Sequence, residues 1–146
     1  MSNGDFVYFR VQPADRPIGD EPSENLIKII TEPWECMWVY HGQQRNLKAP
    51  AGYIYDGASI DRWAWTISGI VPDGMIRAAS LAHDIPYRAE GGRKPGAYLG
   101  ASITNINGNA VLITRAEADW VFYAFMRFVG MSRRKSRRAW LAVRIG

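Results

Sequence analysis

The sequence predicts an α+β fold: an N-terminal antiparallel β-rich half, a central helix, a β-hairpin and two C-terminal helices. Three observations predict it. Aromatic and β-branched runs, broken by Pro and Gly, fill the first third of the chain. Apolar residues at helical spacing follow residue 72 and again residue 114. Between those helical stretches, two alternating runs flank Asn105-Ile106-Asn107-Gly108, a hairpin signal.

The 146 residues suffice for a single domain, 1–146, with a core that needs no staples. Apolar (47%) and charged (22%) fractions are ordinary for a globular chain. Six Trp, seven Tyr and five Phe predict a core dominated by aromatic packing. Cys36 is the only cysteine, which excludes an intrachain disulfide framework and a cysteine-rich zinc site. It lies in an apolar run and reads as a small buried hydrophobe.

Residues 5–11 read as the first strand, and residues 12–25, with Pro13, Pro17 and Pro22, as a loop or an edge segment. Strands are expected at 26–31 and 35–40. A turn at 41–44, a hairpin partner at 45–48 and a short strand at 51–55 complete an antiparallel meander. Residues 62–70, with Trp63, Trp65 and Ile67, suit a short helix. The central helix starts near Pro72, with Asp73 as its cap, and places Ile76, Ala79, Ser80 and His83 on one face. Pro86 is expected to interrupt it, since a proline disfavours helical dihedrals at the residue before it. Residues 88–100 are glycine-rich, basic and loop-like. The hairpin arms are 98–104 and 109–114. Thr114 and Glu117 fit a capping box for a helix that ends near Val129 at Gly130. A last helix runs from Arg133 to about Arg144.

Four polar features stand out from apolar surroundings: Asp56 and Ser59 in an Asp-Gly-Ala-Ser step, the His83-Asp84 pair, and Asp119. Asp119 shares a helix face with Phe122, Tyr123 and Met126. A buried charge needs a partner, a hydrogen bond or a metal. An imidazole oriented by a carboxylate can serve as a general base, while the neighbouring acid is available to a cation. The alternatives stay open. The His-Asp pair can be a satisfied polar link between helices. Asp56 and Ser59 suit a turn. Asp119 can pair with Arg62 or Arg77. A third arrangement makes Ser59 a nucleophile with His83 and Asp119, though Gly-Ala-Ser lacks the Gly-x-Ser-x-Gly elbow.

Tyr-Asp-Gly-Ala-Ser-Ile at 55–60, the ten residues at 78–87, residues 115–127 and Ala-Trp-Leu-Ala-Val-Arg at 139–144 occur in an order that resembles the DUF1353 family of phage and prophage proteins of unknown function. Asp61 stands where that family usually has proline. The resemblance implies a bacteriophage origin and no established activity. A shorter resemblance joins His83-Asp84-x-x-Tyr87 and Ala118-Asp119-x-x-Phe122 to the core of secreted and prokaryotic phospholipases A2. It implies His83 as base, Asp84 as calcium ligand, and Tyr87 and Asp119 as supports of the base. Calcium prefers oxygen ligands and can stabilise an oxyanion. Disulfides are absent. Residues 53–57 would have to supply a calcium loop, and Asp56 would join Asp84 as a ligand.

From Arg127 onward the chain carries Arg133, Arg134, Lys135, Arg137, Arg138 and Arg144 and no acid. Such a block can contact phosphates, a phospholipid surface or a protein partner. It also suits a solvated last helix whose cations sit near its C-terminus. No motif for sequence-specific nucleic-acid recognition accompanies it. No apolar run reaches the ~20 residues of a membrane span. The first residues lack the order of a secretory signal, so synthesis in a host cytoplasm is expected, with inclusion in a virion as a further option. Two functional expectations follow. One is a metal-assisted His-Asp hydrolase acting on an envelope lipid ester. The other is a non-enzymatic virion or assembly protein whose partners are other virion proteins.

Overall fold

The computed structural model describes residues 4–17, 28–55, 77–88 and 100–145. Within them are seven strands in two antiparallel sheets and three helices, one of which packs against the larger sheet. The larger sheet has the order β1-β4-β5-β7, from β1 (Phe6–Tyr8), β4 (Trp34–Tyr40), β5 (Gln43–Ala49) and β7 (Ser102–Thr104). The smaller has the order β2-β3-β6, from β2 (Asp15–Pro17), β3 (Lys28–Ile30) and β6 (Ile54–Tyr55). The helices are α1 (Arg77–Arg88), α2 (Arg115–Phe128) and α3 (Arg133–Ile145). This is the α+β architecture expected.

The period of two in β4 decides which face is covered. Trp34, Cys36 and Trp38 alternate inward and are buried. Register then aligns their neighbours. Leu47 lies opposite Cys36 and is itself opposite Ile103, while Val7 and Arg45 flank Trp38. Phe9 continues this face beyond β1. Its ring packs against Trp34 at 6.1 Å, Phe125 at 5.6 Å and Phe128 at 5.1 Å. Each such pair contributes about 0.5–1.5 kcal/mol beyond the area it buries. The aromatic core expected from composition is therefore a seam between sheet and α2.

α2 is the hub, packing against α1, α3 and β1. Its start and stop are local chemistry. The Thr114 hydroxyl accepts the Glu117 N–H at 3.1 Å. At the other end the Met131 N–H bonds the Met126 carbonyl and the Gly130 N–H bonds that of Arg127, a Schellman closure. Gly130 adopts φ 98°, which disfavours any side chain. Ser132 begins α3 by accepting the Lys135 N–H at 3.2 Å, a cap the sequence reading did not single out.

Several expectations need correction. The first strands do not form one meander, because β1 pairs with β4 and leaves β2, β3 and β6 to a second sheet. Of the two forms open to the proline-rich segment, its described part takes the edge one: β2 holds Pro17 at a sheet edge, where a missing N–H is tolerated. The turn after β4 contains only His41 and Gly42, at φ 51° and 78°, so Gln43 and Gln44 already belong to β5. Two consecutive positive φ values match the twist of a tight hairpin. Pro86 lies inside α1, which continues to Arg88. In the last turn a proline forfeits only one carbonyl bond, the one its absent N–H would have made. The hairpin's return arm makes a single bridge, Thr104 with Ala110, before Ile113 enters the core and Thr114 turns to cap α2. The proposed helix at 62–70 and the Asp73 cap lie outside the described residues. Among those described, the Gln12 side chain accepts the Ala78 N–H at 2.9 Å.

Candidate functional site

α1 and α2 meet along an apolar interface into which one imidazole and one carboxylate project. His83 has Ala79, Ala82 and Phe122 among its buried neighbours in sequence and space. Its ring lies 5.2 Å from that of Phe122, tilted by 48°. Asp119, three residues before Phe122, is fully buried, and His83 is 5% exposed. The His83 Nε2 and Asp119 Oδ1 atoms are 2.9 Å apart. The second oxygen, Oδ2, has the Arg115 Nε at 3.8 Å, one turn earlier on α2. Burying a carboxylate is expensive without such partners.

This geometry fixes the imidazole chemistry. An ionised Asp119 accepts the proton carried on Nε2, and the basic lone pair is then on Nδ1. The carboxylate also stabilises the ring when it takes up a second proton. A ring so held exchanges a proton at Nδ1 only with a group that reaches that atom.

A second buried carboxylate lies two residues away. The Trp38 indole donates to Glu117 Oε2 at 2.8 Å, and the Arg45 Nε donates to the same oxygen at 3.2 Å. Glu117 was read as half of a capping box. Its N–H does take the Thr114 bond, but its side chain is directed into the sheet. Trp38 and Arg45 are register neighbours on β4 and β5, so the sheet presents both donors side by side. The one sequence signal for this cluster was a Glu on an otherwise apolar helical face.

The remaining proposed site residues are placed as follows. Tyr87 and Asp84 are both on α1, four positions and one position after His83, with side chains outside the described residues. Ser59 and Asp56 lie outside them entirely, as does Arg62; Arg77 opens α1, its side chain likewise undescribed. Among the described residues, Arg115 has its Nε 3.8 Å from Asp119 Oδ2. Among the described residues no three His, Cys, Asp or Glu side chains gather as a metal site. The basic residues Arg133, Arg134, Arg137 and Arg138 are exposed on α3 and Lys135 is half-buried, while Ser136 and Ala139 face the core. Cys36 is buried, which pushes its thiol well above the usual range, with Glu35 adding to the rise.

A small α+β protein organised around a helical hub with a buried His-Asp dyad is the class that fold and site define. The chain belongs to the DUF1353 family, a protein family of unknown function, whose model matches residues 34–143. That span contains β4, the dyad, the Glu117 cluster and most of α3. No curated protein and no solved structure matches the chain. No helix among the described residues is long and apolar enough to cross a membrane.

Proposed function

We propose that this protein is a bacteriophage-encoded hydrolase in which His83 is the general base, oriented by Asp119, acting on an ester of the host envelope such as a phospholipid. The observation that carries the reading is the 2.9 Å contact between His83 Nε2 and the fully buried Asp119. Holding Nε2 in that bond directs proton transfer to Nδ1, which takes a proton from water as the water oxygen adds to the ester carbonyl. The proton then passes to the departing alkoxide, leaving acid and alcohol. Positioned proton transfer of this kind is worth about 10²–10⁴-fold in rate. Calcium, through Asp84 and Asp56, is the proposed cofactor, in keeping with its preference for oxygen donors.

The test is hydrolysis of mixed phospholipid vesicles by wild type and by His83→Gln, with and without calcium. Glutamine fills similar volume and keeps a hydrogen bond to Asp119, so folding is checked by circular dichroism. Turnover that falls at least about 100-fold in a folded variant supports the reading. Equal turnover in both proteins, or none in wild type, ends it.

A specific observation favours the second reading, a virion assembly protein. β1 is an edge strand, and its Phe6 and Tyr8 are each 50% exposed beside the exposed Phe128. An edge with apolar side chains offers both backbone hydrogen bonds and buried area to another subunit. Concentration-dependent association that Phe6→Lys abolishes supports it. A monomer at all concentrations counts against it.

A further inference from the structure

A cleft of about 500 Å³, whose lining does not include His83 or Asp119, opens between the β4–β5 turn, α2 and α3. Five of the residues lining it are aromatic. Tyr40 comes from the end of β4, His41 from the turn, Trp120 and Tyr123 from α2, and Trp140 from α3. Asp5 and Arg137 line it as well. The volume lies within the range of small-molecule sites, and four of these rings, all but His41, are only half-buried. Leaving that much ring surface at a concave site forgoes burial the fold could otherwise use.

We propose that this cleft binds a neutral saccharide. Its charges select against ions: the lining carries both signs, Asp5 and Arg137, so neither an anion nor a cation finds a site of one sign. They suit a ligand that both donates and accepts, since a carboxylate only accepts and a guanidinium only donates. The ring geometry selects against a flat base. Tyr40 and Trp120 lie 5.1 Å apart but are inclined by 45°, so they do not form parallel plates. His41 stacks on Tyr40 at 4.1 Å and 24°, and each covers a face of the other. Inclined apolar walls fit the C–H faces of a puckered ring, with hydroxyls directed to Asp5 and Arg137. The Trp120 indole N–H is buried and has no acceptor among the described residues, so a small ring rotation can give it to a hydroxyl without breaking a protein bond. His41, at φ 51° in the tight turn, contributes its ring as one wall.

Saturation-transfer NMR of the full chain with a panel of neutral trisaccharides, built from glucose and from N-acetylglucosamine, tests this. Adenosine and choline serve as flat and cationic competitors. The expected result is saturable transfer to at least one trisaccharide, weakened by about tenfold or more in Arg137→Gln and in Trp140→Ala. Arg137 is exposed, so its variant keeps the fold even where Trp140→Ala does not. His83→Gln is expected to bind normally, which separates this site from the dyad. The proposal is overturned by absence of transfer from every trisaccharide at millimolar concentration. Tighter binding of adenosine or choline, or trisaccharide binding unchanged in Arg137→Gln, also overturns it.

Discussion

Asp119 and Glu117 are two residues apart on α2, both buried, and they tie the helix to different neighbours by different chemistry. Glu117 faces the sheet and meets an indole and a guanidinium, two donors whose protonation is fixed over the physiological range. Asp119 faces α1 and meets an imidazole, which can exchange its proton. The first arrangement can only hold; the second can hold and also change state. Burial and helix position are nearly the same, so the nature of the partner is what separates a structural clamp from a candidate proton-transfer site.

Removing Asp119 gives the largest expected effect. Asp119→Ala leaves the His83 ring buried without its carboxylate and opens a small cavity, a loss of about 3–5 kcal/mol by the usual cost of breaking a buried pair. Urea denaturation reads it directly. A cycle that adds His83→Gln and the double variant isolates the coupling between the two groups. Coupling near zero would mean that the 2.9 Å contact contributes nothing to folding, and the contrast with Glu117 would lose its structural half.

On the sheet side, Cys36, two residues from Trp38, is a titratable group whose ionisation burial opposes. Its folded pKa is raised by burial, so the native state prefers the neutral thiol. Stability is therefore fully present below the unfolded thiol's pKa of about 8.5 and falls above it by about 1.4 kcal/mol per pH unit, or roughly 2 kcal/mol by pH 10. Cys36→Ala removes that alkaline slope while lowering stability at neutral pH. In the wild type a thiol reagent is expected to label Cys36 only on unfolding. Fast labelling of the native protein would contradict the burial.

Glu117→Gln comes next, at about 1–2 kcal/mol. The amide oxygen still accepts from Trp38, but the charge facing Arg45 is gone. A stability loss as large as that of Asp119→Ala would place the two clamps on an equal footing.

What could be read from the chain divides along the same line. Thr114 and Gly130 were legible because a cap and a C-terminal glycine act within one turn of the helix they bound. His83 and Asp119 were legible as a rare imidazole and an acid, each on an apolar helix, though only packing could set the distance between them. The role of Glu117 was not legible. Its indole donor is 79 residues away in sequence, and the nearer reading, a capping box, satisfied every local rule. Pro86 shows a related limit: local propensity describes a helix interior, whereas Pro86 sits in a final turn.

Thr114 carries the smallest expected effect and tests whether the two clamps share one support. Its hydroxyl bonds the N–H of Glu117, in the helical turn that leads directly to Asp119. Thr114→Ala should lower stability by about 1 kcal/mol, and Thr114→Ser by much less, since serine keeps the acceptor. Combined with Glu117→Gln, the loss should exceed the sum of the two, because a turn that has lost its cap is held to the sheet mainly through the Glu117 carboxylate. Combined with His83→Gln, the losses should add to within about 0.5 kcal/mol, because the dyad is anchored from α1. Additivity in both pairs would show that the cap and the sheet clamp act independently, and the first turn of α2 would then be an ordinary helix start with two unrelated carboxylates beyond it.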